Sequence, residues 1–242
     1  MSEIPEFTNR RLVEIYDAVN PYDPDAQPGF YARLADELDA RVVVELGCGT
    51  GLVTQALVRT GREVIGVDPS PLMLDVARTR TRAGRLRWVD GGADDIGTPD
   101  ADLAIMSGHV AQFFVDDDEW SDALAALHAA PRPRRAPRVR EPQPGRARMG
   151  AVDARSCAHR RRPRGRSELT TSVQRAGFAV EQVYGDWDRR PADTPAPELI
   201  YISVSDSQPS GGAARRQHCS GAGAASRSLT DQSDSSASSW DV

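Results

Sequence analysis

The sequence predicts an α/β fold, a mainly parallel sheet with helices on both faces, and three observations carry that expectation. Residues 42–46, Val-Val-Val-Glu-Leu, form a short run apolar on both faces, as a central parallel strand requires. The run ends in Gly47-Cys-Gly-Thr-Gly51. These glycines allow a sharp turn and leave room for a ligand, while residues 52–58 begin a helix whose free N–H groups face that ligand. A second strand run, Glu63-Val-Ile-Gly-Val67, closes on Asp68, about 20 residues beyond the loop, where such folds usually hold a pair of ribose hydroxyls. Strand, loop, helix, strand and acid in that order make a nucleoside half-site.

The glycine spacing selects among nucleosides. A dinucleotide fingerprint needs a third glycine three residues after the second, so that the helix can approach a pyrophosphate, and that position is Leu52. Glu-Leu-Gly-Cys-Gly-Thr-Gly followed by Val-Asp-Pro-Ser instead closely resembles the first two motifs of the class I S-adenosylmethionine-dependent methyltransferases. The resemblance implies a Rossmann-like methyltransferase fold, S-adenosyl-L-methionine as cofactor, and transfer of a methyl group to a small-molecule acceptor. It also implies roles for particular residues. Glu45 and the loop residues Gly47, Cys48, Gly49 and Gly51 would position the methionine part, and Asp68, with Pro69 beside it, would hold the ribose. Gly92, Ala93 and Asp94 would border the adenine, and Met73 stands where the family packs an apolar side chain on the adenine face. A methionine at helical spacing is equally a core residue.

Composition bounds the rest. A chain of 242 residues accommodates one α/β domain with some excess, yet the hydrophobic fraction is only 39%, so part of the chain is expected to lie outside the core. A net charge of -5 disfavours an overall electrostatic grip on nucleic acid. Cys48, Cys157 and Cys219 show neither metal spacing nor an even-numbered disulfide framework, so no metal site is expected and the compartment reads as reducing. No apolar run approaches the ~18 residues of a membrane span, and nothing at the N-terminus resembles a signal sequence. The expectation is a cytoplasmic protein without a membrane partner. The 30 basic residues are all arginine, which points to G+C-rich coding DNA.

In chain order, residues 1–40 read as helical cover. Leu12, Val13, Ile15, Tyr16 and Val19 recur at helical spacing, and Phe30, Leu34, Ala35 and Leu38 repeat the signature before the first strand. In the family this segment lies over the cofactor, so Tyr16 or Tyr22 either contacts it or packs with its hydroxyl in water. Residues 41–130 form the cofactor half. After the Pro69-Ser-Pro turn comes an apolar-striped helix over residues 72–77, and then a third strand over residues 86–89. The following Asp90-Gly-Gly-Ala-Asp-Asp95 has Gly92 where the family usually carries its adenine-binding carboxylate, leaving Asp94 or Asp90 to substitute. A fourth strand, residues 102–106, precedes Ser107-Gly-His-Val-Ala-Gln-Phe-Phe114. His109 lies beyond the carboxyl end of that strand, where open sheets bind ligands, and is the candidate catalytic base; its alternative is a histidine bonded to backbone. A helix opened by acids at residues 116–119 runs to Ala130.

Residues 131–166 break the pattern, being roughly a third arginine, rich in proline and without periodicity. The family has a tight turn and a fifth strand here. Residues 134–144 can be encoded so that reading one base later gives Gly-Gly-Arg-Leu-Val-Phe-Glu-Ser-Arg-Asn, a turn followed by an apolar strand. The hypothesis is a frameshift near Ala130 with return near Arg166, leaving the fifth strand lost or disrupted, the C-terminal half poorly docked and catalysis impaired. Coding DNA without an indel relative to a close relative would overturn it. The competing reading is a basic linker that grips nucleic acid, although it lacks interleaved aromatics. Residues 167–204 then supply a helix with a glycine stop and two strands that look like the family's closing antiparallel pair. Residues 205–242, dominated by Gly, Ser, Ala and Gln, are expected to be disordered. Two functional classes stay open: a small-molecule methyltransferase, or a catalytically inactive cofactor-binding remnant or arginine-mediated nucleic-acid binder.

Overall fold

A computed structural model describes residues 4–20, 23, 25–80, 85–130, 148–152, 164–192 and 198–205. Its strands are β1 (Val42–Leu46), β2 (Glu63–Asp68), β3 (Arg85–Asp90), β4 (Leu103–Met106), β5 (Arg148–Val152), β6 (Phe178–Tyr184) and β7 (Ile200–Ser205). They form one sheet in the order β3-β2-β1-β4-β5-β7-β6. Neighbours from β3 to β5 run parallel, and β7 is antiparallel to both β5 and β6. This is the Rossmann-like, mainly parallel sheet that the sequence predicts.

The apolar run at β1 works as its composition requires. Val43 and Val44 are both fully buried, on opposite faces. Val43 packs with Val64, Leu103 and Ile105 beneath Phe30, Tyr31 and Leu34 of α3 (Gln27–Glu37) and Val53 of α4 (Leu52–Ala56). Val44 packs with Ile65, Ala104 and Met106 beneath Trp120, Leu124 and Leu127 of α6 (Asp117–Ala129) and Leu169 and Val173 of α7 (Arg166–Arg175). Each such side chain contributes about 1.5–3 kcal/mol by leaving water, so a strand apolar on both faces is stable only with helices on both sides. Two short helices precede α3, α1 (Pro5–Thr8) and α2 (Arg10–Val19), while α5 (Pro71–Thr79) links β2 to β3. Helix starts are capped by side chains: Asn9 accepts from the Arg11 N–H at 3.0 Å, Ser70 from Met73 at 3.2 Å, and Asp116 from Asp118 at 2.8 Å. No helix among the described residues is long and apolar enough to cross a membrane.

Three expectations require correction. The fifth strand is present: β5 pairs with β4 and β7, although its register against β4 shifts between Ala104 and Met106. The C-terminal half is docked, because Leu169, Val173, Phe178 and Tyr201 belong to the same buried cluster as Val44. The folded body also resumes before Arg166. Arg164 is 2% exposed, donates to the carbonyls of Ala111 at 3.2 Å and Phe114 at 2.7 Å, pairs with Asp117 at 2.9 Å, and lies over the Trp120 ring. A guanidinium is tolerated in a core only with acceptors of this kind, so Arg164 is an integral part of the fold. Ser205, expected to start the tail, ends β7. Tyr22, Cys157, Cys219 and residues 131–147, 153–163 and 206–242 lie outside the described residues, and with them most of the segment hypothesised to be out of frame and the tail beyond Ser205.

Candidate functional site

Beyond the carboxyl ends of β1, β2 and β4 lies a cavity of about 450 Å³, within the ~300–1,000 Å³ usual for small-molecule sites. Its floor is the glycine loop. Gly47 and Gly51 adopt φ of +74° and +79°, and there is no room for a side chain at either: a Cβ would fall 2.4 Å from Val110 Cγ2 at Gly47 and 2.5 Å from Trp88 Cη2 at Gly51. Gly49, by contrast, faces open space. The loop is held to β2 by the Gly47 and Cys48 N–H groups, which donate to the Val67 carbonyl at 2.7 and 3.1 Å.

Asp68, at the end of β2, lines this floor and is the one charged side chain among the described lining residues. Its Oδ2 accepts from the Gly49 N–H at 2.7 Å and its Oδ1 from the Ser70 N–H at 2.9 Å. Burial pushes its pKa up to about 6; those two N–H bonds oppose the rise and the Asp90 carboxylate adds to it. Each carboxylate oxygen retains a lone pair, so the group can accept from a pair of ligand hydroxyls.

The other walls are apolar. Met73 of α5 is 1% exposed and lines the cavity beside Pro69, Gly92 and Ala93. Phe7 and Tyr16 come from the N-terminal cover, and Val110, Phe113 and Phe114 from the turn after β4. Phe7 joins the two groups, with its ring centroid 6.0 Å from Tyr16 and 5.1 Å from Phe113. Arg164 holds the second group through the Ala111 and Phe114 carbonyls.

Thus Tyr16, Gly47, Gly49, Asp68, Pro69, Met73, Gly92 and Ala93 come together at the cavity, whereas five other candidates do not line it. Glu45 is 1% exposed with both oxygens engaged: Thr54 Oγ1 and Ser107 Oγ each donate to it at 2.5 Å. Burial pushes its pKa to about 7 against those two bonds. It ties the turn after β4 to α4 from behind the wall. Cys48 is buried beneath the loop beside Gly66, and Gly51 rests on Trp88. Asp94 is exposed; its neighbour Asp95 accepts from the Gly92 N–H at 2.8 Å instead. His109 sits between the lining residues Gly108 and Val110, but its Nε2 lies 3.4 Å from Glu198 Oε2. Phe7, Val110, Phe113 and Phe114 carry no motif that sequence reasoning could use, since they meet only in three dimensions.

Comparison with known proteins gives the family context. A model of the methyltransferase domain family matches residues 43–134. The cypemycin N-terminal methyltransferase of a Streptomyces species is 28% identical over 183 residues, 74% of this chain and 73% of that protein. Demethylmenaquinone methyltransferase of Tropheryma whipplei is 34% identical over 85 residues, and the match spans only 34% of this chain and 35% of that protein. Among solved structures, a TehB-like SAM-dependent methyltransferase from Corynebacterium glutamicum aligns with a TM-score of 0.61 and 26% identity, covering 81% of this chain and 100% of that one.

Proposed function

Since the chain belongs to the class I S-adenosylmethionine-dependent methyltransferases, we propose that it methylates a small-molecule acceptor with an apolar body, seated against the aromatic walls of the cavity. The observation that carries this reading is the make-up of the cavity: one buried carboxylate in a floor of glycine-loop backbone, and Phe7, Tyr16, Phe113 and Phe114 in its walls.

The residues present fit the family's cofactor. Asp68 would hold the ribose hydroxyls, the backbone around Gly47 and Gly49 the amino-acid part, and Met73, Gly92 and Ala93 the base. S-adenosylmethionine, when bound, supplies a methyl group activated by a sulfonium. The chain contributes placement and exclusion of water, which the apolar walls accomplish. The relatives support a small acceptor to different degrees, one being named for the N-terminus of cypemycin and another for demethylmenaquinone. His109, flanked by Gly108 and Val110 and oriented by Glu198, is assigned the role of proton acceptor at the rim. His109→Gln is expected to lower turnover about tenfold without changing cofactor affinity; unchanged turnover would remove the role.

The test is calorimetric titration of the full chain with S-adenosylhomocysteine, followed by labelled-methyl transfer to a panel of aromatic and aliphatic amines and hydroxyl compounds. Micromolar binding and transfer to at least one compound are expected. Binding without transfer would favour the inactive remnant, and salt-sensitive binding to nucleic acid without cofactor binding would favour the arginine-mediated alternative.

A further inference from the structure

The N-terminal cover is held by few apolar contacts. Within α2 only Val13 is buried, while Leu12, Ile15 and Val19 are 37%, 47% and 63% exposed. A helix that buries so little depends on polar ties for its position. Two of those ties end on the segments that form the cavity floor. Ser70, two residues after Asp68, donates its hydroxyl to the Phe7 carbonyl at 2.6 Å. Thr50, between Gly49 and Gly51 and 4% exposed, donates its hydroxyl to Asp17 Oδ1 at 2.7 Å. Arg80, just past α5, pairs with the other oxygen of Asp17 and also donates to Thr50 Oγ1 at 3.3 Å. The triangle of Asp17, Thr50 and Arg80 therefore links the crest of the glycine loop to the residue next to Tyr16, which lines the cavity.

We propose that Asp17 is a positioning residue for the cofactor: by bridging Thr50 and Arg80 it joins the glycine loop and the Tyr16-bearing helix into one unit that retards release of a bound S-adenosyl compound. This rests on the reading of the cavity as a cofactor site. Nothing in the triangle contacts the reacting atoms; its effect is on how long the cover stays seated. Breaking it frees the cover while leaving Asp68 and the loop backbone in place, so dissociation accelerates and association changes little. The Asp17 and Arg80 side chains are 22% and 32% exposed, so added salt weakens the pair.

The experiment is stopped-flow and calorimetric measurement of S-adenosylhomocysteine binding to the full chain. Asp17→Asn is expected to raise the dissociation rate about fivefold, with the association rate within about twofold. Wild type should release the ligand faster as salt rises, and the variant should lose that dependence. Thr50→Val should give a smaller acceleration, and the pairwise exchange Asp17→Arg with Arg80→Asp should recover part of the loss. A dissociation rate for Asp17→Asn matching wild type, with binding intact, overturns the proposal. Should that variant fail to fold, Arg80→Ala and Thr50→Val decide by the same measurement. No binding by folded wild-type protein defeats the cofactor reading itself, and the proposal with it.

Discussion

The floor and the walls of the cavity are built by different means. At the floor the surface is backbone: a loop with glycines at positive φ, hung from β2 through the Val67 carbonyl and bonded to the Asp68 carboxylate. In the walls it is side chain, with Phe7 and Tyr16 from the cover and Phe113 and Phe114 from the turn after β4. A backbone surface is fixed by a few obligatory residue types close together in the chain. A side-chain surface can be remade one residue at a time without disturbing the sheet. One such floor can therefore carry many different walls.

The largest effect should come from removing the carboxylate. Asp68→Ala deletes the acceptor for the Gly49 and Ser70 N–H groups as well as for ligand hydroxyls. Hydrogen bonds to a charged group are worth about 1.5–3 kcal/mol each, so S-adenosylhomocysteine affinity should fall at least about 100-fold by calorimetry. An unchanged affinity would move the site elsewhere. A related but smaller effect follows from the pKa of Asp68 near 6. Ligand hydroxyls favour its charged form, so affinity should weaken as pH falls through about 6, approaching tenfold per pH unit.

Phe113→Ala sharpens the contrast between floor and wall. It should raise the acceptor KM about tenfold while leaving S-adenosylhomocysteine affinity within about threefold, because Phe113 belongs to the side-chain wall. Equal losses for both ligands would show that floor and wall are not separable.

The smallest functional effect is expected at Glu45, whose consequence lies in stability. Its pKa is raised from 4.5 to about 7 in the folded protein. Between those values the folded state holds a proton that the unfolded state has lost, so stability is greatest below about 4.5 and declines as pH rises toward 7. The decline is on the order of 3 kcal/mol for this group alone. Glu45→Gln, whose amide can still meet the Thr54 and Ser107 hydroxyls, should flatten that part of the profile in urea titrations with little change in cofactor affinity.

The same contrast explains what was legible in the sequence. Strand β1 announces itself by three consecutive valines, the floor by its glycines, and Asp68 by its distance from them, because each is dictated by local backbone geometry. The misreadings are of another kind. Glu45 and Cys48 sit in the motif, but strand alternation and burial turn them behind the wall, and no local pattern reports which side of a loop a side chain takes. Asp94 and Asp95 are chemically identical neighbours, and only the 3-10 turn over Ala93–Ile96 decides that Asp95 serves Gly92. Arginine and proline around the fifth strand predict it lost or disrupted, yet Arg148–Val152 fills the slot between β4 and β7, with a register shift against β4. A place in a sheet is fixed by its neighbours as much as by its own residues.

Arg164 carries one more consequence, in the order of synthesis. A nascent chain that has emerged as far as Ala130 already contains every described lining residue of the cavity, from Ile4 to Phe114. The carbonyls of Ala111 and Phe114 nevertheless wait for a guanidinium that is translated 50 residues after Phe114. The floor can set while the ribosome is still at work; the aromatic wall is fastened only once about two thirds of the protein has been made.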